Sequence, residues 1–331
     1  MKHWLCYIAF LFVAKANAQE LFINNEPAST VPKGVLGVRM FGESWNEIGP
    51  FSNVYRNMAA LRLMYGVTSK LTVYATGTAS NHHTHALPAD LLTHTHAISG
   101  ANINYKLGIP YLYQYNGIDL YAKYRFLSID GQNRHFRIAA YGEWSNVNVA
   151  HDEAEPHLLD DNKGFGGGLI STFLNKRFAT SLTTGYVIPG TYTETAPSFT
   201  PVPGITTTAM TYGRAYIYDL SFGYLVLPRH YESYSQTNLS VYLEFMGESY
   251  DNANVTQNGV EVVTSQTTPA STPTRSPLLL AYHYVDIHPG LQAIFNSNLR
   301  VDFSMGFPLI NKSYTVFYPM YMLSIQRYFF L

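Results

Sequence analysis

Cysteine and charge are what this sequence has least of. A single cysteine, Cys6, stands in 331 residues, and Asp, Glu, Lys and Arg together make up only 13%, about half the usual share of charge for a soluble domain. The cysteine count excludes a disulfide framework and a zinc-thiolate site, because each needs several thiols. Near-balance of 21 basic and 22 acidic residues leaves no surplus of positive charge to neutralise phosphates, which excludes a nucleic-acid binder. No apolar run reaches the roughly 18 residues of a membrane-spanning helix. What is abundant is aromatic surface, 27 Tyr, 19 Phe and 3 Trp, enough to collapse any chain and to exclude disorder.

The N-terminus is basic at Lys2, apolar from Trp4 to Val13, and carries the small-x-small pattern Ala16-Asn17-Ala18. It reads as a secretory signal peptide over residues 1–18, with the mature chain starting at Gln19. The apolar stretch is too short for an anchor, and Cys6, early and inside it, is a poor lipoprotein site. Cys6 leaves with the leader, so the mature chain has no thiol to act as nucleophile or ligand.

Beyond the leader the recurring feature is alternation. Leu61, Leu63, Tyr65 and Val67 share one side; Ile118, Leu120, Ala122, Tyr124 and Phe126 share another, opposite Asp119, Lys123 and Arg125. A period of two means strands. Twelve are expected, at about 33–43, 57–67, 70–79, 117–128, 134–146, 165–174, 177–188, 212–227, 236–249, 279–295, 298–309 and 316–330. The connections alternate between short turns and long loops, the latter at about 44–56, 80–116, 147–164, 189–211 and 250–278. An even strand count with short turns at one end and long loops at the other is the pattern of a transmembrane β-barrel of the bacterial outer membrane. A soluble β-sandwich is the competing reading, since alternation alone does not say whether an apolar face meets lipid or a core. Strands of ten or more residues, tyrosines gathered near strand ends (Tyr65, Tyr186, Tyr212, Tyr216, Tyr224, Tyr250, Tyr314, Tyr318, Tyr328) and charge confined to one strand face argue for the barrel. The chain ends on Tyr328-Phe329-Phe330-Leu331, similar to the terminal signal read by outer-membrane assembly machinery, although Leu331 is last and Arg327 falls on the apolar side.

At Leu63-Met-Tyr-Gly-Val-Thr-Ser-Lys-Leu-Thr-Val73, Gly117-Ile-Asp-Leu-Tyr-Ala-Lys-Tyr-Arg-Phe126, His288-Pro-Gly-Leu-Gln292 and Leu299-Arg-Val-Asp302, the chain resembles the putative meta-pathway phenol-degradation family of outer-membrane proteins. The resemblance implies a transporter-like barrel, similar to those that admit hydrophobic compounds. It supplies no catalytic residues.

Lumen candidates are Arg39, Arg62, Asp119, Tyr121, Lys123, Arg125, Arg137, Glu143, Glu244, Asp286, His288, Arg300 and Asp302, which would line a conduit for a small solute or pair with one another structurally. Tyr121, Tyr141, Tyr242, Tyr282 and Tyr284 share their face and favour an amphipathic or aromatic solute over a strongly anionic one. His82, His83, His85, His94 and His96 crowd one loop and offer imidazoles to Zn²⁺, Cu²⁺ or Ni²⁺ if a hairpin brings them together; a protonatable surface loop is the plainer reading. His151, Asp152, Glu153, Glu155, His157, Asp160 and Asp161 form a second polar loop, which reads as solvated, or as a binder of Ca²⁺ or of lipopolysaccharide through divalent ions. Gly164-Phe-Gly-Gly-Gly168 opens a strand, so it is no dinucleotide fingerprint. Asp286 and His288 share a face while His283 takes the other, and no nucleophile stands beside them, so an outer-membrane hydrolase is not expected. No cofactor is expected beyond a metal at the histidine loop. The expected partners are the bilayer, lipopolysaccharide, the assembly machinery and a small solute; the competing function is a closed surface barrel whose loops bind.

Overall fold

The computed structural model describes residues 21–46, 55–81, 113–151, 153–198, 204–230, 233, 235–261, 279–316 and 318–330. In chain order the strands are β1 (Val35–Asn46), β2 (Tyr55–Gly66), β3 (Leu71–Ser80), β4 (Gln114–Asp130), β5 (Arg134–Ser145), β6 (Gly164–Asn175), β7 (Phe178–Pro189), β8 (Thr191–Ser198), β9 (Gly204–Thr211), β10 (Ala215–Leu227), β11 (Asn238–Tyr250), β12 (Asn254–Gln257), β13 (Val260–Glu261), β14 (Tyr282–Phe295), β15 (Leu299–Ile310) and β16 (Met320–Phe330). Twelve of them close a barrel in the order β1-β16-β15-β14-β11-β10-β7-β6-β5-β4-β3-β2, every pair antiparallel. Closure is made by β1 against β16, from Val35 opposite Phe330 to Trp45 opposite Met320. These twelve are the strands that alternation predicts.

Closure abolishes sheet edges, so every strand's backbone groups find partners without water, the condition for crossing a bilayer. The outer wall is apolar. Leu120 is 44% exposed and Val241 38%, positions that a soluble core would bury, and Leu63, Leu169, Leu182, Leu291, Phe303 and Ile325 are exposed with them. Tyr65, Tyr124, Tyr216 and Tyr224 face out near strand ends, where amphipathic rings suit the membrane interface. Not every terminal tyrosine does this: Tyr212, Tyr250 and Tyr328 are buried inside, because strand parity, not height alone, decides which wall a ring joins. Arg327 does face outward, its guanidinium carbon 5.5 Å from the centre of the Phe329 ring, close to the periplasmic rim where a long cation can snorkel.

The short connections share one end with the start of β1 and the end of β16, which makes that end periplasmic. Between β14 and β15, Asn296 and Ser297 both adopt positive φ, 49° and 54°, and Asn298 N–H donates to Phe295 C=O at 3.0 Å; this is the turn whose twist matches that of the strands it joins.

The other end departs from the expected plain loops. The stretch 189–211 is a hairpin, β8 with β9, and β12 adds to β9 and β13 to β12, giving a four-stranded sheet in the order β13-β12-β9-β8. Its threonine-rich alternation, as in Thr191, Thr193 and Thr195, lacks the apolar face by which a strand is recognised. The stretch 147–164 is not a solvated loop either. Val147 and Ala154 are fully buried, as is Glu155, and the segment packs under the outer sheet through Ala154, Leu158, Met210, Tyr212, Tyr250 and Val255.

Candidate functional site: an occluded lumen

Alternation sends every second side chain inward, and strand direction sets its height. The inner wall is consequently sorted by charge. Asp119, Glu143, Asp219, Glu248 and Asp286 stand in the outer half, while Arg39, Arg62, Arg125, Arg137 and Arg300 stand in the periplasmic half together with one acid, Asp302, and Lys123 and Glu244 stand near the middle. All thirteen candidate lumen residues have interior side chains. Arg300 Nε donates to both oxygens of Asp302 at 2.8 Å, and Arg39 Nη2 lies 3.6 Å from the same carboxylate. Three rings form a ladder on this wall: Tyr74 and Tyr121 stack at 5.1 Å between centroids, and Tyr121 and Tyr141 at 5.2 Å.

The basic half does not stand empty. Residues 21–34, ahead of β1, cross the lumen. Phe22 and Ala28 are fully buried, with Ile23 at 1% exposure. At one wall the Glu244 carboxylate accepts N–H groups from three successive residues, Ile23 at 3.3 Å, Asn24 at 2.9 Å and Asn25 at 3.1 Å, together with Asn24 Nδ2 at 2.9 Å and Ser221 Oγ at 3.2 Å. Arg39 Nη2 donates to Ile23 C=O at 2.8 Å, and Arg300 to Phe22 C=O. Gly290 makes room: a β-carbon there would come within 2.6 Å of Ile23 Cδ1. At the far wall Glu26 meets Lys123 Nζ at 2.9 Å, Arg62 Nη1 at 3.2 Å and Tyr74 O–H at 2.8 Å. Ala28 N–H then donates to Thr172 Oγ1 and Val31 N–H to Thr72 Oγ1. Wall side chains thus satisfy the plug's backbone in place of a β ladder.

Burial by itself would raise the Glu26 pKa, but the charges of Lys123 and Arg62 and their hydrogen bonds outweigh it and hold the carboxyl at about 2, below its ordinary 4.5. The docked plug therefore binds fewer protons than a released one. Its Glu26 anchor is fully effective above about pH 4.5 and is lost as the pH falls toward about 2. Backbone hydrogen exchange across 23–31, corrected for intrinsic rates, is expected to show unchanged protection from neutral pH down to about 5 and weaker protection at about 3. Equal protection at both acidic values would contradict this anchor.

The outer mouth is closed by 147–163. Glu155 accepts from Ser313 Oγ at 2.9 and 2.8 Å and from Tyr314 N–H at 3.2 Å. Thr78 Oγ1 donates to Leu159 C=O at 3.0 Å, and Asn116 Nδ2 to Asp160 C=O at 2.9 Å. His151 stacks on Tyr212 with centroids 4.3 Å apart. The buried Glu155 carboxylate thus faces the neighbouring loop at Ser313 and Tyr314.

His82, His83, His85, His94 and His96 lie outside the described residues, as do 1–20 and Asp152. Inspection of the strands alone misses Glu26, Asp219 and Glu248. The last two were within reach, since Glu248 is an even four residues beyond Glu244 and Asp219 alternates with Ser221; Glu26 precedes the first strand and obeys no period.

No family model matches the chain, and no curated protein matches it. Among solved structures, an outer-membrane channel from Pseudomonas putida F1 superposes with a TM-score of 0.54 at 12% identity, over 93% of this chain and 100% of that one. A monoaromatic hydrocarbon channel, CymD, gives 0.33 at 12% identity, over 90% and 87%, and the β domain of the Bordetella autotransporter BrkA gives 0.35 at 9%, over 90% and 99%; neither score bears weight. The first, at this identity, speaks to fold. It agrees with the closed wall, the lipid-facing belt and the two unlike ends: the chain is a twelve-stranded β-barrel of the bacterial outer membrane.

Proposed function

We propose that this barrel is a gated channel for a small solute, aromatic or amphipathic rather than strongly anionic, as the resemblance to the phenol-degradation family implies. The observation that carries the reading is how the lumen is closed. Two chain segments held by hydrogen bonds and ion pairs lie inside it, so the interior is a conduit with separable closures rather than a core of interlocked wall side chains. The Tyr74–Tyr121–Tyr141 ladder lines one stretch of the wall with aromatic surface; Tyr121 has a ring on either side and cations lie over Tyr74, so it is at the Tyr141 end that an aromatic guest would extend the stack, at about 4.5–7 Å between centroids. The P. putida relative in fold bears the name of an outer-membrane channel, which supports the same reading.

A second reading, a surface barrel that passes nothing, is favoured by the same closures if they never release. Uptake by proteoliposomes separates the two. Liposomes carrying the barrel are expected to admit a small aromatic that the bare bilayer passes slowly, such as zwitterionic phenylalanine, faster than protein-free liposomes, and Tyr141→Ala to cut the protein-dependent part several-fold, as loss of roughly 1 kcal/mol of stacking would. Uptake equal to that of protein-free liposomes would leave the surface-barrel reading standing.

A further inference from the structure

The segment that closes the outer mouth brings three metal-ligating side chains to one point. Glu155, His157 and Glu248 each offer a donor atom, all within 4.8 Å of one another. His157 Nε2 is 3.1 Å from Glu155 Oε1 and 3.4 Å from Glu248 Oε2, the spacing of neighbouring donors around an ion that each contacts at about 2.0–2.2 Å. On the other side of the ring, Nδ1 is 3.7 Å from Asp161 Oδ2. A carboxylate behind one imidazole nitrogen favours the proton there and turns the other nitrogen's lone pair forward, the arrangement found behind metal-bound histidines.

Charge makes the same case independently. Glu155 is 0% exposed, Asp161 1% and Glu248 3%. One imidazolium cannot balance the two buried carboxylates of Glu155 and Glu248 that it faces, and buried charge without full compensation is costly. Glu248 Oε1 is also buried with no protein partner, although its sister oxygen accepts from Tyr284 O–H at 3.2 Å. A dication answers both, by adding two positive charges and using the spare carboxylate oxygen.

We propose that Glu155, His157 and Glu248 form a divalent-cation site that clamps the inward-folded segment 147–163 to β11. One imidazole with two carboxylates is a mixed donor set suited to a transition ion such as Zn²⁺ rather than to an all-oxygen Ca²⁺ cage. Two ligands lie on the segment and one on the wall, so bound metal joins what the carboxylates' repulsion would otherwise push apart. The site does not depend on the transport reading, because a barrel that passes nothing can be clamped in the same way.

The test is calorimetric titration of the detergent-solubilised, metal-stripped full chain with Zn²⁺ at neutral pH. It is made in a background where His82, His83, His85, His94 and His96 are all Ala, so that those imidazoles do not contribute. One Zn²⁺ per barrel is expected to remain, with affinity lowered at least tenfold by His157→Ala and again by the near-isosteric Glu248→Gln. Folding of each variant is checked by its heat-dependent migration on gels. Absence of Zn²⁺ binding in the folded background protein, or binding unchanged in both folded variants, would overturn the site.

Discussion

Glu244→Ala releases the plug. With Ala28→Cys as reporter, labelling by a maleimide is expected to accelerate by roughly 10²- to 5 × 10³-fold, the ratio that corresponds to about 3–5 kcal/mol. The reporter is clean once Cys6, the only native cysteine, is changed to Ser, and Ala28 is fully buried, so the thiol reacts only when the segment leaves the wall. The size follows from what the carboxylate holds: three successive backbone N–H groups, an Asn24 amide and the Ser221 hydroxyl. Hydrogen bonds to a charged group contribute about 1.5–3 kcal/mol each, and the donors left behind lose their partner without regaining water in place. Glu244→Gln keeps the shape but places an amide N–H₂ against donors, and should fall between. Labelling as slow in Glu244→Ala as in the parent would mean that the Glu26 end suffices to hold the segment, and the assignment of Glu244 as main anchor would be wrong.

Ion conductance is expected to depend on both closures together. Glu155→Ala removes the acceptor that ties the outer segment to Ser313 and Tyr314, leaving a hydroxyl and an N–H without their buried partner. Either variant alone opens one end of the lumen and leaves the other covered, so single-channel recordings should stay close to the parent. Combining them should give a conductance well beyond the sum of the two changes, as two barriers in series require. If either single variant reaches the conductance of the pair, the two segments do not act one after the other, and the segment it left in place does not obstruct.

The barrel was legible because a membrane wall is a strict two-residue code. Outward positions such as Leu120 and Val241 must be apolar, and inward ones such as Asp119 and Glu244 are free to be polar, so pattern, strand and position coincide. The contents of the barrel obey no such code. Residues 21–34 make their hydrogen bonds to side chains of β1 to β6, β10, β11 and β15, scattered through the sequence, and leave no local period. The segment 147–163 misleads for a different reason. Its Glu153, Glu155, Asp160 and Asp161 resemble a solvated acidic run, and only the interspersed Val147, Val149, Ala150, Ala154 and Leu158 signal burial. Acidic residues on loops are ordinarily in water; here all four are buried, Glu155 against Ser313 and Tyr314 of the neighbouring loop. Sorting of the inner charges by height was implicit in strand direction, but it becomes visible only when parity and direction are applied to every strand at once.

The two closures lie at opposite ends of one lumen, and they share no anchoring residue: Glu244 and Glu26 hold one, Glu155 the other. Independent doors in series multiply their chances of standing open. If each lifted about 1% of the time, both would be lifted together only about 10⁻⁴ of the time. Such a passage behaves as an airlock: a molecule admitted through one door can wait inside until the other lifts, whereas a continuous water column needs both at once. On the channel reading proposed above, the cell surface keeps its seal while small cargo crosses one step at a time.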